Sequence, residues 1–273
     1  MSVTDIIVIV GVILFILSGF CSYNILMSTP PPPERRALRY FDIIMALFVT
    51  VLITSNIASS AKIVDWGFSI AGVRIAFDGG TLLFPISYIF GDVLTEVYGY
   101  KRSRRVIWAG FICLALAALT LWLVRILPGE AEWQKYAGQA AYVAILGGMS
   151  SGGIVIASLT AYFAGEFSNS FVLAKMKVLT QGRWLWTRTI GSTLVGELVD
   201  SVIFITIASL FGVFPWSLFV TLVVTNYIFK CSMEGVMTPV TYKVVAWLKR
   251  AENEDYYDYT TDFNPFKIES PRG

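Results

Sequence analysis

Long runs of apolar residues with almost no charge constrain this chain more than any other feature. Seven such runs cover residues 6–27, 41–61, 81–100, 106–127, 150–173, 190–211 and 216–240. Their lengths match the roughly 20 residues that a helix needs to cross a bilayer. In lipid a segment must satisfy its own backbone hydrogen bonds, which favours helices. With 56% hydrophobic and only 15% charged residues, the sequence predicts an all-α polytopic membrane protein.

The first apolar run is set apart from the others by the stretch "STPPPPERR" (28–36). Consecutive prolines form a stiff, extended linker rather than a helix. We therefore expect an N-terminal anchor helix in residues 1–29, a proline-rich linker in 30–39 and a core of six transmembrane helices in 40–250. Residues 251–273 are acidic and tyrosine-rich without an apolar period, which predicts a disordered cytosolic tail.

The positions of lysine and arginine predict the orientation. These residues cluster in residues 35–39, 101–105, 175–188 and 243–250, whereas the alternate connections contain few of them. Cytoplasmic loops carry the excess of lysine and arginine. All the connections thus agree with a periplasmic N-terminus and a cytoplasmic C-terminus.

The outer connection over residues 62–80, "KIVDWGFSIAGVRIAFDGG", alternates apolar and polar residues around Gly72. A period of two on both sides of a glycine is typical of a β-hairpin. We expect a short hairpin at the mouth of the helix bundle.

Ionisable residues inside the apolar runs are the candidates for function. Away from the first and last three residues of each run, the acids are Asp92, Glu96, Glu166, Glu197, Asp200 and Glu234, and the one cation is Lys230. A charged residue costs about 2.5–3.5 kcal/mol at the centre of an inserted helix. These acids cannot all be ionised in a dry interior. Some are protonated, some reach water, or a ligand that is cationic or rich in hydrogen-bond donors completes the site.

Several of these polar residues come to a similar depth. Asp92, Glu166 and Glu197 each lie nine residues from a basic loop residue, or about 13 Å along a straight helix. Asn226 lies ten residues from Trp216 at the opposite edge. Polar groups that meet near the midplane are typical of a transporter.

Three other residues keep alternative interpretations. Glu96 and Glu234 lie closer to the cytosolic surface, so an interfacial role is as well supported as a functional one. Lys230 shares a helix face with Glu234. A structural ion pair with that acid, or with a neighbouring one, would explain Lys230 equally well.

The segment "GDVLTE" (91–96) recurs as "GELVDS" (196–201). Each copy falls in the middle helix of a three-helix half of the predicted core. Because three is an odd number, the two halves would be oppositely oriented. The pattern favours two inverted three-helix repeats with a site where they meet, although six residues can also be similar by chance.

Catalytic and nucleotide-binding patterns are missing from the sequence. The chain contains no histidine, no P-loop lysine–serine pair and no metal-ligand constellation. The glycine-rich "GGMSSGG" (147–153) is typical of close helix packing or of a helix break rather than of a nucleotide site. We expect no enzymatic activity, no metal, no cofactor and no nucleic-acid partner.

Four stretches resemble the queuosine precursor transporter family, also called the vitamin uptake transporter family. They are "TSNIASSAK" (54–62), "FPISYIFGDVLTEVYGYKRSRRVIW" (84–108), "GELVDSVIF" (196–204) and "TNYIFKCSMEGVMTPVTYKVVAWLKR" (225–250). The resemblance covers roughly residues 40–250. It implies uptake of a deazaguanine base across a bacterial inner membrane for transfer RNA modification. The N-terminal anchor and the tyrosine-rich tail depart from the compact pattern of the family.

The resemblance also suggests roles for the candidate residues. A deazaguanine carries adjacent N–H donors beside an acceptor oxygen, so a carboxylate and an amide can bind it. We expect Asp92, with Glu197 or Asp200, to bind the donor edge or an amine, and Asn56 and Asn226 to act as amide partners. Lys230 would hold an acid ionised. Glu96 and Glu166 complete the candidate set.

Two transport classes fit this sequence. The first is a carrier that works alone or as a homodimer. The second is a substrate-binding membrane subunit that needs a separate ATPase module to transport a vitamin-like small molecule.

Overall fold

The computed structural model describes residues 38–70 and 73–267. The predicted anchor helix and almost all of the proline-rich linker lie outside these residues, as do the last six residues of the tail.

Eight α-helices and one hairpin make up the described part of the chain. The helices are α1 (Phe41–Ala61), α2 (Phe84–Tyr98), α3 (Tyr100–Ile126), α4 (Ala131–Tyr136), α5 (Gly138–Ser150), α6 (Gly152–Leu179), α7 (Leu185–Leu210) and α8 (Phe219–Glu252). Short 3₁₀ turns at Gly79–Leu82 and Trp216–Leu218 precede α2 and α8. Helices α4 and α5 occupy a stretch for which the sequence predicted no spanning helix.

Five helical stretches of the described chain are long and apolar enough to cross a membrane. They are Phe41–Ala61, Tyr100–Ile126, Gly138–Leu179, Leu185–Leu210 and Trp216–Glu252. Large apolar side chains on the outer surface of α3 are about half exposed, among them Ile112, Leu116 and Trp122. An exposed apolar surface of this kind is suited to lipid rather than water.

The predicted span over residues 81–100 is shorter in the structure. Helix α2 has 15 residues, or about 22 Å, against a bilayer core of about 30 Å. Its start is fixed by Pro85 in the first turn, and its end by Gly99, whose φ of +79° leaves the helical region. A Cβ at Gly99 would lie 2.2 Å from the Tyr256 ring, so only glycine fits. The count of six core helices stays a prediction.

The predicted hairpin is present. Strand β1 (Ile63–Ile70) pairs antiparallel with β2 (Val73–Asp78), with a bulge between Asp65 and Ser69. The two ends of the hairpin lie next to each other, and the backbone N–H of Gly79 donates a hydrogen bond to the Lys62 carbonyl there. It connects α1 to α2 at one end of the bundle.

The tail, predicted to be disordered, instead packs against the helices as far as residue 267. Asp258 is buried and accepts the backbone N–H of Tyr100 at 3.1 Å. Arg104 donates to the Asn264 carbonyl at 2.6 Å, and the Trp108 indole donates to the Pro265 carbonyl at 2.8 Å. The segment binds through backbone carbonyls, carboxylates and isolated aromatic rings. That mode of packing needs no apolar period, so the sequence pattern gave no sign of it.

Candidate functional site

A cavity of about 780 Å³ lies within the helix bundle. Its walls come from α1, α2, α3, α5, α6, α7 and α8 together with Phe214. It extends from the middle of α6 and α7 towards the end of the bundle that carries the hairpin, where Ser60 and Gly148 line it. The volume falls in the range of about 300–1,000 Å³ that small-molecule sites occupy.

Two glycines bring α6 and α7 into backbone contact beside the cavity. A Cβ at Gly165 would lie 2.8 Å from the Asp200 Cβ, and a Cβ at Gly196 would lie 2.7 Å from the Asn169 Cβ. Small residues at such crossings let membrane helices approach closely. The approach places the polar residues of α6 next to the acids of α7.

An ion triad on α7 and α8 forms one wall. The Lys230 ammonium lies 2.7 Å from Glu197 Oε2 and 2.5 Å from Asp200 Oδ2. Each of the three side chains is about one-fifth exposed, so they are reachable from the cavity. The predicted pairing of Lys230 with an acid is therefore present, with α7 acids rather than with Glu234.

Glu166 on α6 faces this triad and adds a third carboxyl group to the cavity. Lys230 is the one cation among the described residues that line the cavity. Gly91 of α2 lies beside Glu166, since a Cβ there would be in van der Waals contact with Glu166 Oε2 at 3.5 Å. The arrangement leaves an acidic surplus that a ligand with N–H donors or positive charge would offset.

Amide and aromatic groups complete the lining. Asn56 and Asn226 both line the cavity, and the Asn56 amide donates to the Leu52 carbonyl of its own helix at 2.8 Å. Phe204 and Phe229 supply ring surfaces. Small-molecule sites typically combine apolar walls with a few polar groups that fix orientation.

Asn169 is a cavity residue that the sequence reasoning missed. It lines the cavity, and its buried Oδ1 has no hydrogen-bond partner in the described part of the chain. It lies between the glycines of the repeated motif: Gly91 is on one side and Gly196 on the other. Its spacing of three residues from Glu166, which places both on one helix face, was a signal that could have found it.

Two of the predicted site residues do not line the cavity. Asp92 is 1% exposed and lies behind Gly91, and within residues 38–70 and 73–267 neither of its carboxylate oxygens has a hydrogen-bond partner. Glu96 is fully buried at the end of α2 away from the hairpin. The structure thus brings together Asn56, Glu166, Glu197, Asp200, Asn226 and Lys230.

Glu96 is instead the centre of an ionic cluster formed by Glu96, Lys177, Arg188, Lys249 and Asp255. The Arg188 guanidinium donates to both carboxylate oxygens at 2.7 and 2.8 Å, and Lys249 donates at 2.6 Å. Lys177 is 1% exposed and donates to the Glu96 carbonyl at 2.5 Å. The cluster ties α2, α6, α7 and α8 together. It closes the bundle beyond the cavity.

The tail contributes Asp255 to this cluster. Lys177 and Lys249 lie 2.6 and 2.8 Å from its Oδ1. Burial disfavours the ionised carboxylate, but the two ammonium groups outweigh it and hold the pKa of Asp255 below its ordinary value. Lys177 and Arg188 lie in the basic stretch 175–188, from which the sequence predicts a cytosolic loop. Only the packing of the helices shows that both side chains are buried.

Comparison with known proteins gives one family. Residues 78–244 match the family described as "Putative vitamin uptake transporter", a stretch that covers more than half of the chain. The chain belongs to this family. The matched residues contain the ion triad, Glu166, Asn169 and Asn226, whereas Asn56 precedes them.

Three curated relatives align with the chain. The "Probable queuosine precursor transporter" of Bacillus subtilis (strain 168) is 27% identical over 60% of this chain and 69% of the relative. The protein of the same name from Haemophilus influenzae is 23% identical over 61% and 67%. The "Queuosine precursor transporter" of Escherichia coli (strain K12) is 27% identical over 60% and 66%. No solved structure matches the chain.

Membership confirms the resemblance read from the four motifs. Membership of a transporter family, together with the five helical stretches of the described chain that could cross a membrane, makes the chain a multi-pass membrane protein.

Proposed function

We propose that this chain imports a queuosine precursor, a 7-deazaguanine-type base, across a bacterial inner membrane for transfer RNA modification. The observation that carries the proposal is the acidic, amide-lined cavity in a family whose relatives are named for this substrate. We further propose that the hairpin end faces the periplasm and the Glu96 cluster faces the cytoplasm, as the distribution of lysine and arginine predicts.

The donor set of the cavity fits the edge of a deazaguanine. A carboxylate can accept two adjacent N–H donors, and an amide N–H can serve the neighbouring oxygen. We assign the donor edge to Glu166 in place of Asp92, because Glu166 lines the cavity and Asp92 does not. Asn169 and Asn226 are the amide partners in this assignment. Stacking of a base on an aromatic ring contributes about 1–3 kcal/mol, and Phe204 or Phe229 offers such a surface.

Charge balance supports a substrate that carries an amine. Lys230 compensates one of the two acids that it contacts, which leaves the second acid and Glu166 facing the cavity. A positively charged aminomethyl arm would offset part of that surplus. An unpaired buried charge is costly, so such a substrate would bind more tightly than its neutral analogue.

Binding of labelled deazaguanine bases to purified protein tests the assignment, with adenine and guanine as competitors. Losing a hydrogen bond to a charged group costs about 1.5–3 kcal/mol, so Glu166→Gln should weaken binding on the order of 10- to 100-fold. The matched control is Glu132→Gln, an exposed acid on α4. Wild-type affinity in Glu166→Gln would contradict the assignment.

Reconstitution into liposomes separates the two transport classes. Gradient-driven uptake of the labelled base by this chain alone supports a self-sufficient carrier. Binding without uptake would instead favour a substrate-binding subunit that needs an ATPase module.

A further inference from the structure

Asp92 on α2 and Glu234 on α8 form a buried carboxyl pair outside the cavity lining. Each side chain is 1% exposed. All four carboxylate oxygens are shielded from solvent, and none of them has a hydrogen-bond partner among the residues that the structure describes. Helices α2 and α8 pack against each other, and the two carboxyl groups interact directly across this contact. The pair belongs neither to the cavity lining nor to the ionic cluster, so neither of those sites accounts for it.

No ion pair within the described part of the chain includes Asp92 or Glu234. The titratable groups that act on the pair are Glu96 on α2, Glu197 on α7 and Cys231 on α8. The amide of Asn169 faces Asp92 from α6. The neighbouring cations are engaged elsewhere: Lys177, Arg188 and Lys249 contact Glu96, while Lys230 contacts Glu197 and Asp200.

Two adjacent carboxylates in a dry interior cannot both be ionised. A proton on one of them removes the like-charge repulsion and turns that group into an O–H donor for the other. Leaving both oxygen pairs charged and unpaired would cost several kcal/mol in such surroundings. The site therefore needs a positive charge. A proton is the smallest cation, and the two carboxyl groups can hold it without any further ligand.

We propose that Asp92 and Glu234 together hold one exchangeable proton. When α2 and α8 separate, the O–H bond breaks and the proton passes to water, which leaves both groups as carboxylates in contact with water. The reverse step reloads the site. Asn169 connects this pair to the cavity, since it lines the cavity and also faces Asp92. The proton site stands on the carboxyl pair alone, whereas its use in coupling transport to a proton gradient rests on the proposed function.

Infrared spectroscopy of the full-length protein in lipid nanodiscs tests the proton directly. At neutral pH the wild type should show a protonated carboxyl band that shifts in heavy water. Asp92→Asn and Glu234→Gln should each shift or remove this band, because each changes the groups that share the proton, and the double variant should lose the intensity of one protonated carboxyl group. Asp42→Asn, a change at an exposed acid on α1, should leave the band as it is. An unchanged band in the double variant, or in both single variants, would overturn the proposal.

Thermal unfolding of the same samples checks folding and distinguishes a proton from a metal cation. The two variants replace acids with amides of nearly the same shape, so each gives an independent reading if the other fails to fold. A proton site predicts equal stability of the wild type in sodium and in choline buffers. Stabilisation by sodium that disappears in Asp92→Asn would overturn the proton assignment in favour of a metal ion.

Proton movement in liposomes tests the coupling. With labelled base and a pH-sensitive dye inside the vesicles, an inward proton gradient should accelerate uptake by the wild type. Asp92→Asn should bind the base but lose this acceleration. Wild-type uptake that ignores the gradient would overturn the coupling. A wild type that binds no deazaguanine would refute the proposed function while leaving the infrared result intact.

Discussion

Replacing Glu96 with glutamine removes the anion at the centre of the ionic cluster while keeping the size of the side chain. Arg188 then loses the charged partner of its two hydrogen bonds at 2.7 and 2.8 Å, and it is only 2% exposed. Lys177 is less affected, because it keeps Asp255 and the carbonyls of residues 96 and 256. Lys249 is one-quarter exposed and recovers solvation from water.

The expected loss follows from this difference between the cations. Removing one partner of a buried pair costs about 3–5 kcal/mol. Because Arg188 is the cation that loses most, the lower end applies, about 3 kcal/mol. A chain of this size loses about 2–4 °C of melting temperature per kcal/mol, so Glu96→Gln should melt about 6–12 °C below the wild type.

Thermal unfolding in detergent measures the shift, with Glu132→Gln as the control. Glu132 pairs with Lys135 on the surface, where both side chains are at least 70% exposed, so its loss should cost less than about 1 kcal/mol. The double variant Glu96→Gln/Arg188→Gln should be less destabilised than the sum of the two single variants. Equal melting of Glu96→Gln and Glu132→Gln would refute the reasoning.

Three further predictions concern the cavity and the tail. Gly196→Ala should lower the free energy of unfolding by about 1–3 kcal/mol, because the added methyl group would overpack against Asn169. Gly235→Ala should leave it unchanged, because the space around Gly235 is open. Equal melting temperatures of the two variants would contradict this reasoning. Lys230→Met leaves two acids without their cation and should reduce base binding, measured by equilibrium dialysis; unchanged binding would count against the triad. The pKa of Asp255 is lowered in the folded protein. The carboxylate therefore stabilises the fold at any pH above the pKa that it has in the unfolded chain, and this stabilisation is lost as the pH falls through the lower pKa of the folded state. In that acidic range, hydrogen exchange of residues 256–267 should become faster in the wild type but should not change in Asp255→Asn.

Much of the site could be predicted from the sequence because ionisable residues in apolar runs are costly and therefore rare. Depth counting from the basic loops placed Glu166 and Glu197 near the midplane, and counting from Trp216 placed Asn226 there. All three line the cavity. The same counting also selected Asp92, which lies behind the wall. A count of residues gives a depth but not the direction in which a side chain points around its helix.

Partners far apart along the chain could not be predicted in the same way. Glu96 meets Arg188 and Lys249 across separations of 92 and 153 residues. The sequence alone presented these cations as loop charges that mark one side of the membrane. Docking of residues 253–267 was likewise hidden, since single hydrogen bonds to carbonyls leave no period to detect.

The sequence by itself determined that this chain crosses a membrane several times, because uncharged runs of about 20 residues have few other stable states. It also determined which polar residues are available near the midplane. Only the tertiary structure decided how they divide into a cavity, an ionic cluster and a separate carboxyl pair. The division depends on helix rotation and on close crossings such as that of Gly165 and Gly196, which are set by packing between helices rather than by the order of residues within one.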